Sequence, residues 1–209
     1  MRIIVIILLS AIFLTCFIQP ARADNRFYAH IGYSSVAWNS DLDLFYTLPS
    51  SRLGLVLDLG KIDIFLDRID TQKRSRTSDM YGDVNFNMSR TDLGLKYKLP
   101  YLPFKARLAY RNYYMNTTSL QYKKSGHYNG LGIGAETKLP SVPVNLFASY
   151  YPSLTGPETL SDFEVGMGYR FSLRGFFSGR INLSHDSLGN SAGKNMSATI
   201  FSISLERSF

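Results

Sequence analysis

From residue 104 onward, apolar and polar side chains alternate along the chain. Phe104, Ala106, Leu108, Tyr110 and Tyr114 share one face of an extended segment, with Lys105, Arg107 and Arg111 on the other. Leu131, Ile133 and Ala135 oppose Gly130, Gly132, Gly134 and Glu136. Phe163, Val165, Met167, Tyr169 and Phe171 oppose Glu164, Gly166, Gly168 and Arg170, and Phe177, Ile181 and Leu183 oppose Ser178, Arg180, Asn182 and Ser184. The last segment has the same form, with Thr199, Phe201, Ile203, Leu205 and Phe209 against Ser202, Ser204, Glu206 and Ser208. Arg207 interrupts that apolar face near the strand end, where its long side chain can reach an interface. A period of two marks strands with one apolar and one polar face. After Asp24 no apolar run is long enough to span a bilayer as a helix, so the reading is all-β.

The connections set the strand count. Lys98-Leu99-Pro100-Tyr101-Leu102-Pro103-Phe104 returns as Lys138-Leu139-Pro140-Ser141-Val142-Pro143-Val144, each copy followed by an alternating strand. Leu-Pro-x-x-Pro makes a compact turn, because proline fixes φ and ends strand pairing. Leu173-Arg174-Gly175 and Gly60-Lys61 read as two more tight turns. The opposite connections, around residues 39–51, 73–79, 116–126, 152–161 and 187–195, are longer and polar. Five loops and four turns give an antiparallel up-and-down arrangement of about ten strands. Eight or twelve stay open, since residues 41–48 form another candidate strand and residues 81–99 read as one strand or two. The alternation slips at residues 89–92, where a β-bulge is expected.

Two architectures share this pattern: a secreted sandwich, and a membrane barrel with its apolar face in lipid. Length separates them. Phe104 and Tyr114 lie on one face at a spacing of roughly 33 Å at ~3.3 Å per residue. With a tilt of about 40° this is roughly 25 Å of height, the gap between the two aromatic girdles of a transmembrane barrel. Sandwich strands are usually only about five or six residues long. The reading is therefore a transmembrane β-barrel with an even number of strands, both ends on the periplasmic side.

The start of the chain agrees with export. Arg2, the apolar run over residues 3–17 and Ala21-Arg22-Ala23 before Asp24 have the order of a secretory signal peptide. Residues 1–23 are expected to be removed, leaving 24–209 as one outer-membrane barrel domain. The single cysteine, Cys16, lies in the removed part, so no disulfide or thiolate metal site is expected. Leu14-Thr15-Cys16 offers the rival reading of lipoprotein processing, although Thr15 is bulkier than the small residue such a site takes. The formal net charge of +7 is scattered along strands and loops rather than gathered beside an aromatic platform, which argues against a nucleic-acid module.

On this register the lumen receives Asp58, Asp63, Asp67, Glu136, Glu164 and Glu206 together with Lys105, Arg107, Arg111, Lys138, Arg170 and Arg180. Buried charges are costly unless paired, so a salt-bridged plug is the first expectation. A narrow pore lined by rings of charge is the alternative, although a pore is more naturally biased to one sign. Lys73, Arg74, Arg76, Lys123, Lys124 and Lys194 fall in the outer loops, where the phosphates of lipopolysaccharide are a candidate partner. His30, His127 and His185 sit in distant segments without metal-ligand spacing, and no cofactor is expected. Gly130-x-Gly132-x-Gly134 lies inside a strand with no helix after it, so it reads as room for large side chains opposite rather than a nucleotide loop.

Taken over residues 24–209, the pattern resembles the small outer-membrane barrels of the OmpA/OmpX-like class, which implies location and assembly but no activity. A final alternating strand ending on Phe209 resembles the C-terminal signal read by the outer-membrane assembly machinery. One local stretch is similar to another family. His185-Asp186-Ser187 resembles the His-x-Ser-Asn segment of outer-membrane lipid A 3-O-deacylases, which implies His185 as base and Ser187 as nucleophile. Leu188 stands where that family has Asn, and no acid occupies the expected place on the last strand. Rim loops this short argue against an omptin-type protease. The leading expectation is a non-enzymatic barrel of envelope-structural or surface-interaction role, with lipid A deacylation and a narrow channel as alternatives.

Overall fold

The structure is a computed structural model that describes residues 26–39, 44–80, 82–119, 123–173, 177–190, 193 and 195–209. The expected signal segment with Cys16, most of the 173–175 turn and the loop cation Lys194 lie outside the described residues. The strands are β1 (Arg26–Asn39), β2 (Phe45–Asp58), β3 (Ile62–Thr71), β4 (Arg74–Ser78), β5 (Gly82–Lys98), β6 (Phe104–Thr118), β7 (Lys123–Lys138), β8 (Val144–Leu154), β9 (Leu160–Ser172), β10 (Phe177–Gly189) and β11 (Asn195–Ser208). Sequence neighbours pair antiparallel except β3 and β4, which do not pair with each other; β1 joins β11, and β3 joins β5 to close the sheet on itself. Both β3 and β4 pair with β5, so they are two halves of one stave in a ten-stranded barrel.

Two details depart from the sequence expectations. The register of β5 runs unbroken through residues 89–92, so the expected bulge is not there. It lies on the partner instead: Asp70 pairs with Ser89 but Arg74 pairs with Phe86, leaving one extra residue between β3 and β4. Thr71 covers the break, its Oγ1 donating to the Met88 carbonyl at 2.9 Å and accepting from the Met88 N–H at 2.8 Å. The second departure is strand length. Several stretches expected as loop are strand, including residues 49–51, 74–78, 116–118, 123–126 and 187–189, and residues 45–48 of the candidate strand 41–48 belong to β2. The polar composition of these stretches suggested loops, whereas they are barrel wall.

The two Leu-Pro-x-x-Pro turns are built alike. Leu99 N–H donates to the Phe104 carbonyl at 3.1 Å, and Leu139 N–H to the Val144 carbonyl at 2.9 Å. The lumenal glycines make room: a Cβ on Gly132 would lie 2.3 Å from the Tyr151 ring, and one on Gly54 would lie 2.0 Å from the His30 ring.

The barrel changes character halfway up. In the half next to the short turns, the outer surface is apolar: Ile31, Tyr33, Leu53, Leu93, Leu131, Ile133, Phe163, Leu183, Phe201 and Ile203 are all exposed. A closed sheet with such a band satisfies every backbone group internally, as hydrocarbon requires. Further along the same outward faces the residues turn polar: Ser35 on β1, Ser51 on β2, Arg68 and Asp70 on β3, Thr91 and Ser89 on β5, Asn112 on β6, Asn129 on β7, His185 on β10 and Thr199 on β11. Arg68 and Asp70 form an exposed ion pair at 2.6 Å. Phe45 and Met80 are exposed apolar exceptions in this outer half.

The apolar band is therefore shorter than the strands. On β6 it ends at Tyr110, not at Tyr114, whose ring packs against His127 with centroids 4.8 Å apart. From Phe104 to Tyr110 is about 15 Å of height at ~3.3 Å per residue and ~40° tilt, and from Phe171 to Phe163 about 20 Å. The exposed Leu59, Leu102, Val142 and Leu173 of the short turns extend it towards the ~25 Å of a transmembrane barrel.

Inside, the change runs the other way. Val36, Trp38, Tyr46, Leu48, Ile69, Phe86, Met88, Met115, Tyr128, Leu154, Leu160, Leu188, Met196, Ala198 and Ile200 form one buried cluster in the outer half of the lumen. Trp38 stacks on Phe86 with centroids 5.1 Å apart. The outer half is thus organised like a water-soluble barrel, with polar residues outside and an apolar core within.

Candidate functional site

Below the apolar cluster the lumen is filled by charge. Arg111 on β6 is fully buried and lies at the centre. Its Nε and Nη2 donate to the two carboxylate oxygens of Asp92 at 2.7 Å each, the forked geometry that suits guanidinium. Nη1 reaches Asp162 at 2.5 Å and Nη2 reaches Glu164 at 2.6 Å, while Asp186 lies 3.4 Å away. The guanidinium carbon lies 4.2 Å from the centre of the Tyr151 ring. Arg90 bonds Asp186 at 2.6 Å and Glu164 at 3.2 Å. Arg107 meets Asp92 and Glu164 at 3.4 Å each and donates to Ser149 at 3.1 Å. The Tyr113 hydroxyl donates to Asp186 at 2.8 Å.

The charged side chains come from β5 and β6 on one side and β9 and β10 on another, and β8 between them adds Ser149 and Tyr151. The network therefore bridges across the lumen rather than running along one wall. Strand alternation puts it there: Arg90 and Asp92, Arg107 and Arg111, Asp162 and Glu164 have the inward parity of their strands, and rigid staves fix their heights.

Of the twelve charged residues expected in the lumen, all occupy the inward parity of their strands. Arg107, Arg111 and Glu164 belong to the central network. Nearer the short turns, Lys105 pairs with Asp63 at 2.5 Å, Glu136 with Lys96 at 2.5 Å, and Asp67 with Arg52 at 2.7 Å. Arg170 pairs with Glu206, the Asp58 carboxylate accepts from the Gly60 N–H at 2.8 Å, Lys138 is exposed, and Arg180 donates to Asn182 at 2.8 Å.

Sequence reasoning missed Arg52, Arg90, Asp92, Lys96, Asp162 and Asp186. Parity carried the signal for each. Asp162 matches Glu164 and Asp186 matches Asn182, but both lie next to stretches read as loop, and Asp92 fell at the expected bulge. The apolar cluster in the outer half of the lumen was not anticipated either.

His185 and Ser187 are exposed on the outward face of β10. The His185 Nδ1 lies 2.9 Å from Thr199 Oγ1 on β11. Ser187 pairs across the strands with Ser197 and Phe163. Asp186, between them in sequence, points into the barrel and is held by Arg90 and Tyr113. At the outer rim Arg74, Arg76, Lys73 and Lys123 are exposed, and Lys124 is paired with Glu158 at 2.6 Å. Phe209 closes the chain beside Phe27, with ring centroids 5.7 Å apart.

A closed ten-stranded barrel with an apolar exterior band and a charged interior has known counterparts. The fold is that of an outer-membrane β-barrel. The outer-membrane protease OmpT from Escherichia coli superposes with a TM-score of 0.53 at 8% identity, covering 88% of this chain and 96% of that one. Neisserial surface protein A aligns at 14% identity and a TM-score of 0.48, covering 88% of this chain and 97% of that one. Ail, the attachment invasion locus protein of Yersinia pestis, aligns at 12% identity and a TM-score of 0.49, covering 89% and 99%. Identities this low speak to fold alone. The sequence matches no protein-family model and no curated protein.

Proposed function

We propose that this chain is an integral outer-membrane barrel, exported by its N-terminal signal, that is sealed against solutes and holds a rigid, water-facing outer half above the bilayer. Its role in this reading is surface interaction or envelope structure rather than transport or catalysis. The observation that supports it is the double closure of the lumen. A solute entering from the short turns meets the Arg111 network; one entering from outside meets the Trp38–Phe86 cluster. A pore lined by rings of charge needs a continuous water path. A layer of packed aromatic and methionine side chains offers none. The exposed Arg74, Arg76, Lys73 and Lys123 stand where lipopolysaccharide phosphates would meet the barrel, which supports that lipid as the first partner to test.

Purified, refolded protein inserted into planar bilayers is expected to give no unitary conductance steps. Reproducible steps from the folded species would overturn the sealed-barrel reading. Its folded state is checked separately by heat-modifiable migration on a gel.

The deacylase alternative predicts a different outcome. A serine nucleophile needs a base oriented by a third group. Here the described partner of His185 is Thr199, and the adjacent acid faces inward. Lipid A from cells expressing this chain is expected to keep all its ester-linked acyl chains, and to match lipid A from cells expressing the Ser187→Ala form. Loss of one chain only with the intact serine would make the protein a hydrolase.

A further inference from the structure

Among the described cations that line the lower lumen, Arg180 makes no direct ion pair. Arg52, Lys96, Lys105 and Arg170 each have a carboxylate oxygen within 4 Å. Among the described residues Arg180 has none. Its Nε donates to the Asn182 amide oxygen at 2.8 Å, a neutral partner, and the rest of the guanidinium is left to the lumen. Gly168 gives this pair its room, since a Cβ there would lie 2.7 Å from the Asn182 oxygen and 3.7 Å from Arg180.

Two chambers meet at this side chain. The lower one, about 170 Å³, opens towards the short turns and is lined by Arg180 with Lys96, Lys105, Asn145, Tyr28 and Arg170 as further donors, and by Asp58, Asp63, Glu136 and Glu206. The volume is more than ten times the ~10–15 Å³ that a single water requires on the same measure, so a multi-atom group fits. Glu136, Asp67 and Glu206 attract Arg180 through space without bonding it, because Asp63 is bonded to Lys105, Glu136 to Lys96 and Glu206 to Arg170, while Asp58 bonds the Gly60 N–H. The upper chamber, about 50 Å³, adds Arg52, Arg90 and Arg107 around Arg180 against Asp67, Glu136 and Glu164. A guanidinium that bonds no carboxylate in a confined polar chamber is a forked donor for planar or tetrahedral oxyanions.

We propose that the lower lumen binds one small oxyanion, a phosphate or carboxylate group, on the Arg180 guanidinium, reached through the mouth at the short turns. The group arrives either as a free anion or as the end of a larger molecule in the periplasm. The site requires no open pore, and it stands independently of the sealed-barrel reading.

The test is a titration of refolded barrel in a non-ionic detergent with inorganic phosphate at constant ionic strength, read as the thermal unfolding midpoint by Trp38 fluorescence. The same series is run with acetate, with sodium chloride, and on Arg180→Gln and Lys138→Gln variants. A ligand that binds only the folded state raises its stability in a saturable way. Phosphate or acetate is expected to raise the midpoint saturably in the parent and in Lys138→Gln. Affinity should fall at least tenfold in Arg180→Gln, whose folding is confirmed by heat-modifiable migration. Saturation with acetate as well as phosphate marks a carboxylate-tolerant site, and saturation with phosphate alone marks a phosphate site. A response that is linear, or equal with chloride, or unchanged in Arg180→Gln overturns the proposal. Bilayer conductance is a separate readout, so failure here and failure of the sealed barrel remain distinguishable.

Discussion

Replacing Arg111 with leucine is expected to cost the barrel about 3–5 kcal/mol, the usual penalty for removing one partner of a buried ion pair. The arithmetic rests on what is left behind. Arg111 forks onto Asp92 and bonds Asp162 and Glu164, with Asp186 close by. Without it, Arg90 and Arg107 alone face four buried carboxylates, and the Asp162 Oδ1 already has no hydrogen-bond partner. A leucine fills part of the space but answers none of the charge. Refolded Arg111→Leu should therefore show a much lower urea midpoint by Trp38 fluorescence, or fail to reach the heat-modifiable form at all. Adding Asp92→Asn and Asp162→Asn should recover more than half of the loss, because the deficit is excess negative charge rather than a cavity. An Arg111→Leu barrel within ~0.5 kcal/mol of the parent would show that water inside the lumen screens these groups, and the plug would lose its energetic basis.

Much of the barrel was legible in the sequence, because a period of two forces the issue. Once Leu131 and Ile133 face lipid, Gly132 and Gly134 must face inward, and a slip of one residue would move every side chain to the wrong side. The repeated Leu-Pro-x-x-Pro turn gave the frame and the strand count near ten. The outer half was harder to read. Thr91, Ser89 and Asn87 on the outside of β5, with Met88 and Phe86 inside, still alternate, but the apolar residues have exchanged faces. Read with a fixed rule of apolar outside, that exchange looks like a bulge, which is why residues 89–92 were misassigned. The real irregularity, the extra residue after Thr71, left no hydrophobic signature because its neighbours Gln72 and Lys73 are both polar. The charge network was half visible: Arg107, Arg111 and Glu164 followed from parity, but Asp162 and Asp186 sit at the level where the faces exchange. The Arg180 chamber was not legible at all, since it depends on which carboxylates other cations have already claimed.

That exchange of faces gives a second large effect, and a comparison within one strand isolates it. On β11, Ile203 lies in the outer apolar band, half exposed and flanked by Tyr33 and Ile181, whereas Ser197 lies beyond the exchange, flanked by Asn39 and Ser187. Both point outward and neither touches the lumenal charges. A cation on the lipid face of a transmembrane barrel costs about 2–4 kcal/mol at the bilayer midplane and ~0–1 near the interfaces. Ile203→Arg is therefore expected to lower the stability of the barrel in phospholipid vesicles by about 2–4 kcal/mol, and Ser197→Arg by less than ~1 kcal/mol. In a sandwich exposed to water the two arginines would have similar small effects, so the difference reports on lipid rather than on strand propensity. Equal and large penalties at both positions would place the whole height of β11 in the bilayer, and the outer half would then present its polar face to hydrocarbon. Equal and small penalties would take the apolar band out of the membrane altogether. Only a steep difference between residues six apart on one strand fits a barrel whose lower half is built for lipid and whose upper half is built for water.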